Sequence, residues 1–126
     1  METTAKRVEP FRGKVNVMFR GAVLASTDVA LKLSEPGQRD LYFIPYGHIA
    51  FEFLQEEPRN GEAREPLLRY WRLSAVGEAA DKALRAFDAP PVELGALRDH
   101  AAFDPGIVTV EAMETPDPEH KVHWPD

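Results

Sequence analysis

The chain has 126 residues, 44% of them hydrophobic, no cysteine and a net charge of −6. That length suits one domain with a real core, the missing cysteines exclude disulfides, thiolate metal sites and cysteine nucleophiles, and no apolar run approaches the ~20 residues that a membrane helix needs. The charge is unevenly placed: residues 1–20 carry five basic groups against two acidic ones, so the rest holds 10 basic and 19 acidic residues. Binding nucleic acid means neutralising phosphates, so an acidic body argues against that partner. The basic start reads as a solvated arm. No apolar segment follows its charges as in a signal peptide, and a cytoplasmic protein is expected.

Residues 1–13 read as a loose arm, with Pro10 and Gly13 near its end. From 14 to 19 the chain alternates, Val15, Val17 and Phe19 opposing Lys14, Asn16 and Arg20. Arg20-Gly21 then gives a tight turn and Val23-Leu24-Ala25 the return strand of a hairpin. A further strand is expected over 30–33, followed by Glu35-Pro36-Gly37-Gln38, whose central Pro-Gly suits a type II turn. The stretch 41–54 holds three of the seven Phe and two of the three Tyr. Its first half is apolar on both faces. Its second half alternates, with Ile49, Phe51 and Phe53 opposing Glu52, so the stretch reads as strand, break and strand at the centre of a β domain.

Residues 55–66 are polar and broken by Pro58, Gly61 and Pro66, hence a long loop of a kind that is often functional. An apolar run over 67–76 carries Tyr70 and Trp71 between Arg69 and Arg72. Over 78–87, Ala79, Ala80, Ala83, Leu84 and Phe87 form a helical stripe of good helix formers, and local reasoning alone gives a helix. A short helix is expected over 92–100, a turn at Asp104-Pro105-Gly106 and a last strand over 107–112. The tail 114–126 has three prolines and reads as extended, or docked by Trp124.

Few chemical constellations stand out. There is no glycine-rich phosphate cradle, no Gly-x-Ser-x-Gly elbow, and the three serines lie in turn or strand-edge contexts. His120 and His123 are spaced as a zinc pair on a helix would be, but the surrounding prolines oppose a helix, and no metal or other cofactor is expected. Tyr42, Tyr70 and Trp71, with Arg72 and Arg85, suit a flat or anionic small molecule at an open sheet face. The alternative is that alternate members are core, covered by arginine stems.

Several segments resemble the family catalogued as domain of unknown function 427: Phe19-Arg20-Gly21 with its return strand, Leu41-Tyr42-Phe43-Ile44-Pro45, Tyr70-Trp71-Arg72-Leu73, Ala86-Phe87-Asp88-Ala89-Pro90, and above all 97–106, Leu-Arg-Asp-His-Ala-Ala-Phe-Asp-Pro-Gly. The resemblance covers about 14–112. It implies a mostly β fold, a small barrel-like or tent-like antiparallel sheet with one or two short helices, and a hairpin of two strands across 73–87, which we adopt over the helix because tertiary context overrides propensity. Where the family has Arg-Glu-Asp after the proline, this chain has Tyr46-Gly47-His48, so His48 replaces an acidic residue. The family's Cys-Pro-x-Lys-Gly becomes Glu62-Ala63-Arg64-Glu65-Pro66, and a tryptophan becomes Arg85. The chain thus resembles a divergent member. The nucleotidyltransferase-like label of some members is not supported, because metal-bridged triphosphate chemistry needs clustered carboxylates and this chain has neither an Asp-x-Asp pair nor a Gly-Ser loop.

The reading from sequence is a single domain over 1–126 that binds a small molecule on a concave face near Tyr42, His48, Tyr70, Trp71 and Arg85, without catalysis. One alternative is an enzyme on a nucleotide-like or other small substrate, in which His48 meets a carboxylate from the 55–65 loop. The other is an interaction module, a homodimer through an edge strand or through Phe51 and Phe53.

Overall fold

The computed structural model describes residues 6–57 and 68–115. Ten strands form two antiparallel sheets: β1 Arg7–Pro10, β2 Gly13–Phe19, β3 Ala22–Thr27, β4 Leu31–Ser34, β5 Leu41–Pro45, β6 Leu54–Glu56, β7 Leu68–Ala75, β8 Glu78–Phe87, β9 His100–Phe103 and β10 Thr109–Glu114. The larger sheet has the order β1-β4-β5-β9-β8-β7-β6 and the smaller β10-β2-β3. Both are open, so the expected mostly β fold is present without closing into a barrel. The only helical pieces among the described residues are 3₁₀ turns at Tyr46–His48, Phe51–Phe53 and Val92–Leu97.

Alternation along the strands gives the large sheet two apolar faces. Phe43 pairs with Ala102, Ala102 with Arg85 and Arg85 with Tyr70, so this row shares one face. There Leu33, Phe43 and Ala102 pack with Leu94 and Leu97 from the last 3₁₀ turn. The row Glu56–Trp71–Leu84–Phe103 lies on the other face, which joins Val15, Val17, Leu24 and Ala25 of the small sheet in the main core. Leu24, Ile44, Leu73 and Leu84 are each 0% exposed, and burying a side chain of that size stabilises by about 1.5–3 kcal/mol.

The two sheets are tied by one short segment after β5. Ile49 bridges Ala25, the Ala50 N–H donates to the Leu24 carbonyl at 2.8 Å, and the Thr27 hydroxyl meets His48 Nδ1 at 2.7 Å.

Several expectations change. The arm contains a strand, because Val8 and Pro10 pair with Leu33 and Leu31 and Phe11 enters the core at 8% exposure. Residues 46–53 form two 3₁₀ turns, not the second half of a strand, since the segment must turn from one sheet towards the other. Phe51 and Phe53 are half-buried against the core. Within the 55–66 loop, Gln55 and Glu56 belong to β6. Residues 78–87 are the strand β8, and the helix expected over 92–100 is a 3₁₀ turn ending at Leu97, with His100 opening β9. The Arg20-Gly21 hairpin stands as expected between β2 and β3. The expected tail beyond residue 115, with His120, His123 and Trp124, lies outside the described residues.

Candidate functional site

The five residues singled out from sequence do not share one place. Tyr42 and Trp71 belong to the face that meets the small sheet, whereas Tyr70 and Arg85 pair directly with each other on the opposite face. His48 sits at the segment joining the sheets. The Val29 N–H donates to Thr27 Oγ1 at 3.1 Å, and the same hydroxyl shares a hydrogen bond with His48 Nδ1 at 2.7 Å. Thr27, 3% exposed, is the buried polar residue of the described chain, so the pair satisfies a buried hydroxyl. The carboxylates just after β6 turn elsewhere: Glu56 grips Arg69, and Glu57 accepts the Lys82 N–H at 2.7 Å. Residues 58–65, the rest of the loop expected to supply a carboxylate to His48, lie outside the described residues.

Trp71 is the centre of an aromatic cluster. Its ring lies 5.9 Å from that of Phe51 and 6.4 Å from that of Tyr46, and Tyr46 and Phe51 meet edge to face at 5.8 Å. The Arg69 guanidinium covers the indole at 4.9 Å and donates to both Glu56 oxygens, at 2.8 and 2.9 Å. The hydrogen bonds to Glu56, and then the charge of that carboxylate, hold Arg69 firmly protonated against the burial that opposes them. Burial pushes the Tyr46 hydroxyl above its ordinary value, partly offset by Arg69 and reinforced by Asp99, Glu56 and Asp88. Since Arg69 and the three rings fill one another's surfaces, this cluster reads as packing that Arg69 seals.

Open space lies at another point, where β5 begins and β9 ends. A hollow of about 290 Å³ is lined by Val17 and Val110 of the small sheet and by Tyr42 and Phe103 of the large one, with Arg39, Asp40, Leu41 and Pro105 at its rim. A second hollow of about 290 Å³ adjoins it, sharing Arg39, Leu41 and Pro105 and adding Leu33, Glu35, Arg85 and Asp104. Local sequence explains the placement. Pro36-Gly37 turns β4 into β5, and Asp104 Oδ1 accepts the Gly106 N–H at 2.8 Å, so two polar turns frame the sheet end while strand residues supply its apolar floor. The Tyr42 ring is fixed by Phe11, edge to face at 5.2 Å. Arg85 reaches Asp104 only at 3.8 Å, both side chains being about one-third exposed (33% and 34%).

Of the sequence candidates, then, Tyr42 and Arg85 border this pair of hollows, and Tyr70, Trp71 and His48 do not line them. Sequence reasoning missed Arg39, Val110 and Phe103. The turn Asp104-Pro105-Gly106 was the available signal, because it fixes where β9 stops. Among the described residues no group of three His, Asp or Glu is placed to hold a metal ion, and no helix is long and apolar enough to cross a membrane.

No curated protein matches the chain. A family model does match, over residues 7–114, and this span takes in every strand of both sheets. The chain is therefore a member of the family described as domain of unknown function DUF427.

Proposed function

We propose that this domain binds a small molecule in the hollow between the two sheets. One observation carries the reading: about 290 Å³ of open space is walled by Val17, Tyr42, Phe103 and Val110 from both sheets and rimmed by Arg39 and Asp40. Ligand sites are typically concave, mainly apolar and marked by a few polar groups at the edge. The volume suits a compact ligand with one ring or a short branched chain. Among the described residues that line this space the only charged groups are Arg39 and Asp40 at the rim, so binding is the activity the geometry supports.

The test is a thermal-shift screen of small organic acids, amines, sugars and nucleotides, repeated with Val110→Trp. Val110 lies on the edge strand β10 and is half-buried, so a larger ring can fill the hollow without displacing the core. A true ligand raises the midpoint of the native chain, by ~2.7 kcal/mol of stabilisation at a hundredfold excess over its dissociation constant. It leaves the midpoint of the filled variant unchanged. Ligands that stabilise both proteins equally bind elsewhere and refute the reading.

A further inference from the structure

We propose that the second hollow is a separate site for a free α-amino acid with an aliphatic side chain, its carboxylate on Arg85 and its ammonium on Asp104. The site lies on the face of the large sheet turned away from the small one, and it does not depend on a ligand between the sheets. Leu33 pairs with Leu41 and Leu31 with Phe43, and the row from Phe43 through Ala102 reaches Arg85. Both leucines therefore share the face of Arg85. With Pro105 they give this hollow of about 290 Å³ an apolar side, while Arg85 and Asp104 supply opposite charges to the same space.

Arg85 and Asp104 stand side by side without closing on each other. Their side chains are 33% and 34% exposed and approach only to 3.8 Å, beyond hydrogen-bonding distance. Asp104 Oδ1 accepts the Gly106 N–H at 2.8 Å, and Oδ2 is the oxygen nearer Arg85. Among the described residues no acceptor lies within hydrogen-bonding distance of the Arg85 guanidinium. Two charges largely withdrawn from water gain most from a ligand that brings each a hydrogen-bonded partner of opposite sign. An α-amino acid carries both partners on one carbon, so groups this close can be met together. Glu35 and Arg39 add one charge of each sign to the same hollow, whose formal sum is zero. An acid or an amine alone brings a net charge and leaves one of the pair unmatched. The leucines and Pro105 then favour an aliphatic side chain over a polar one.

Three molecules sharing one branched body separate the possibilities: leucine, 4-methylpentanoate and 3-methylbutylamine, titrated at pH 7 and constant ionic strength against the ¹⁵N-labelled full chain. Leucine should shift the amide signals of Leu33, Leu41 and Gly106 and the Arg85 Nε–H, and bind about tenfold tighter than either half-ligand, as loss of one charge-assisted hydrogen bond would give. Arg85→Gln should abolish its advantage over the amine. Asp104→Asn, which keeps an oxygen for the Gly106 N–H, should independently abolish its advantage over the acid, so the proposal stays testable if one variant does not fold. A half-ligand that binds there as tightly as leucine, or an advantage that survives both substitutions, overturns the proposal. So does leucine that leaves these signals unmoved at millimolar concentration. Leucine that moves Val17 and Val110 instead binds between the sheets, which refutes this second site and supports the first.

Discussion

Val76 holds φ at +55° and Gly77 at +76°, the pair of left-handed conformations that a two-residue hairpin turn between β7 and β8 requires. Glycine takes this backbone freely, but a β-branched valine meets its own carbonyl there. The side chain is 60% exposed, so packing returns little for the strain. Val76→Asn, which gives the Asn-Gly pair favoured in such turns, should stabilise the protein by about 1 kcal/mol and raise the thermal midpoint by roughly 4 °C, measured by calorimetry. An unchanged or lower midpoint would show that the valine is not strained. The site was legible at this scale only in part. Tyr42 and Arg85 were recognisable as aromatic and cationic groups suited to an open sheet face, but strand parity decides faces, and adjacent residues such as Tyr70 and Trp71 must point apart. A sequence gives parity within a strand; it does not say which strands stand side by side.

At the scale of elements, β8 shows why local pattern pointed to a helix. Leu73 pairs with Ala80 and Trp71 with Leu84, so three residues of β8 stand opposite Arg72 alone. Lys82, at φ +54°, makes the bulge, and its N–H is taken by the Glu57 carboxylate. The extra residues put Ala80 and Leu84, four apart, against Leu73 and Trp71, two apart on one face of β7, and a spacing of four imitates a helical stripe. The β2–β3 hairpin was legible because its alternation and its Arg20-Gly21 turn agree with one another. β1 was not, because a four-residue edge strand ending in proline carries little signal of its own. Edge pairing elsewhere depends on close approach. A Cβ on Gly13, at the start of β2, would overlap the Met113 carbonyl oxygen and come within 2.8 Å of the Glu114 Cα. These are backbone atoms that cannot swing aside, so Gly13→Ala should cost about 2–3 kcal/mol. Urea denaturation gives that loss, and hydrogen exchange should locate it in β10. Faster exchange spread evenly over both sheets would mean that β10 is not where the strain falls.

For the molecule as a whole, the two sheets cohere through apolar contact and the 46–53 segment, and Tyr46 anchors that segment. Its N–H donates to the Asp99 carbonyl at 3.0 Å, its carbonyl accepts the Ile49 N–H at 3.1 Å, and its ring meets Phe51 and Trp71. Its hydroxyl is held above the ordinary tyrosine value of 10.0, first by burial and then by Asp99, Glu56 and Asp88, with Arg69 opposing. A tyrosine whose folded pKa is raised stays protonated in the native chain at pH values where the unfolded chain has released the proton. Native protein then binds more protons than unfolded protein, and stability must fall as pH rises. The contribution is fully present below pH 10 and is lost as pH climbs through the raised folded value. Denaturant melts between pH 9 and pH 11.5 should therefore show a declining midpoint, with a shallower decline in Tyr46→Phe, which keeps the ring contacts and removes the ionising group. The difference between the two proteins is the quantity to read, because it isolates the Tyr46 hydroxyl. Parallel declines would mean that the joint between the sheets is indifferent to this hydroxyl, and that its burial is too slight to couple ionisation at one residue to the cohesion of the whole.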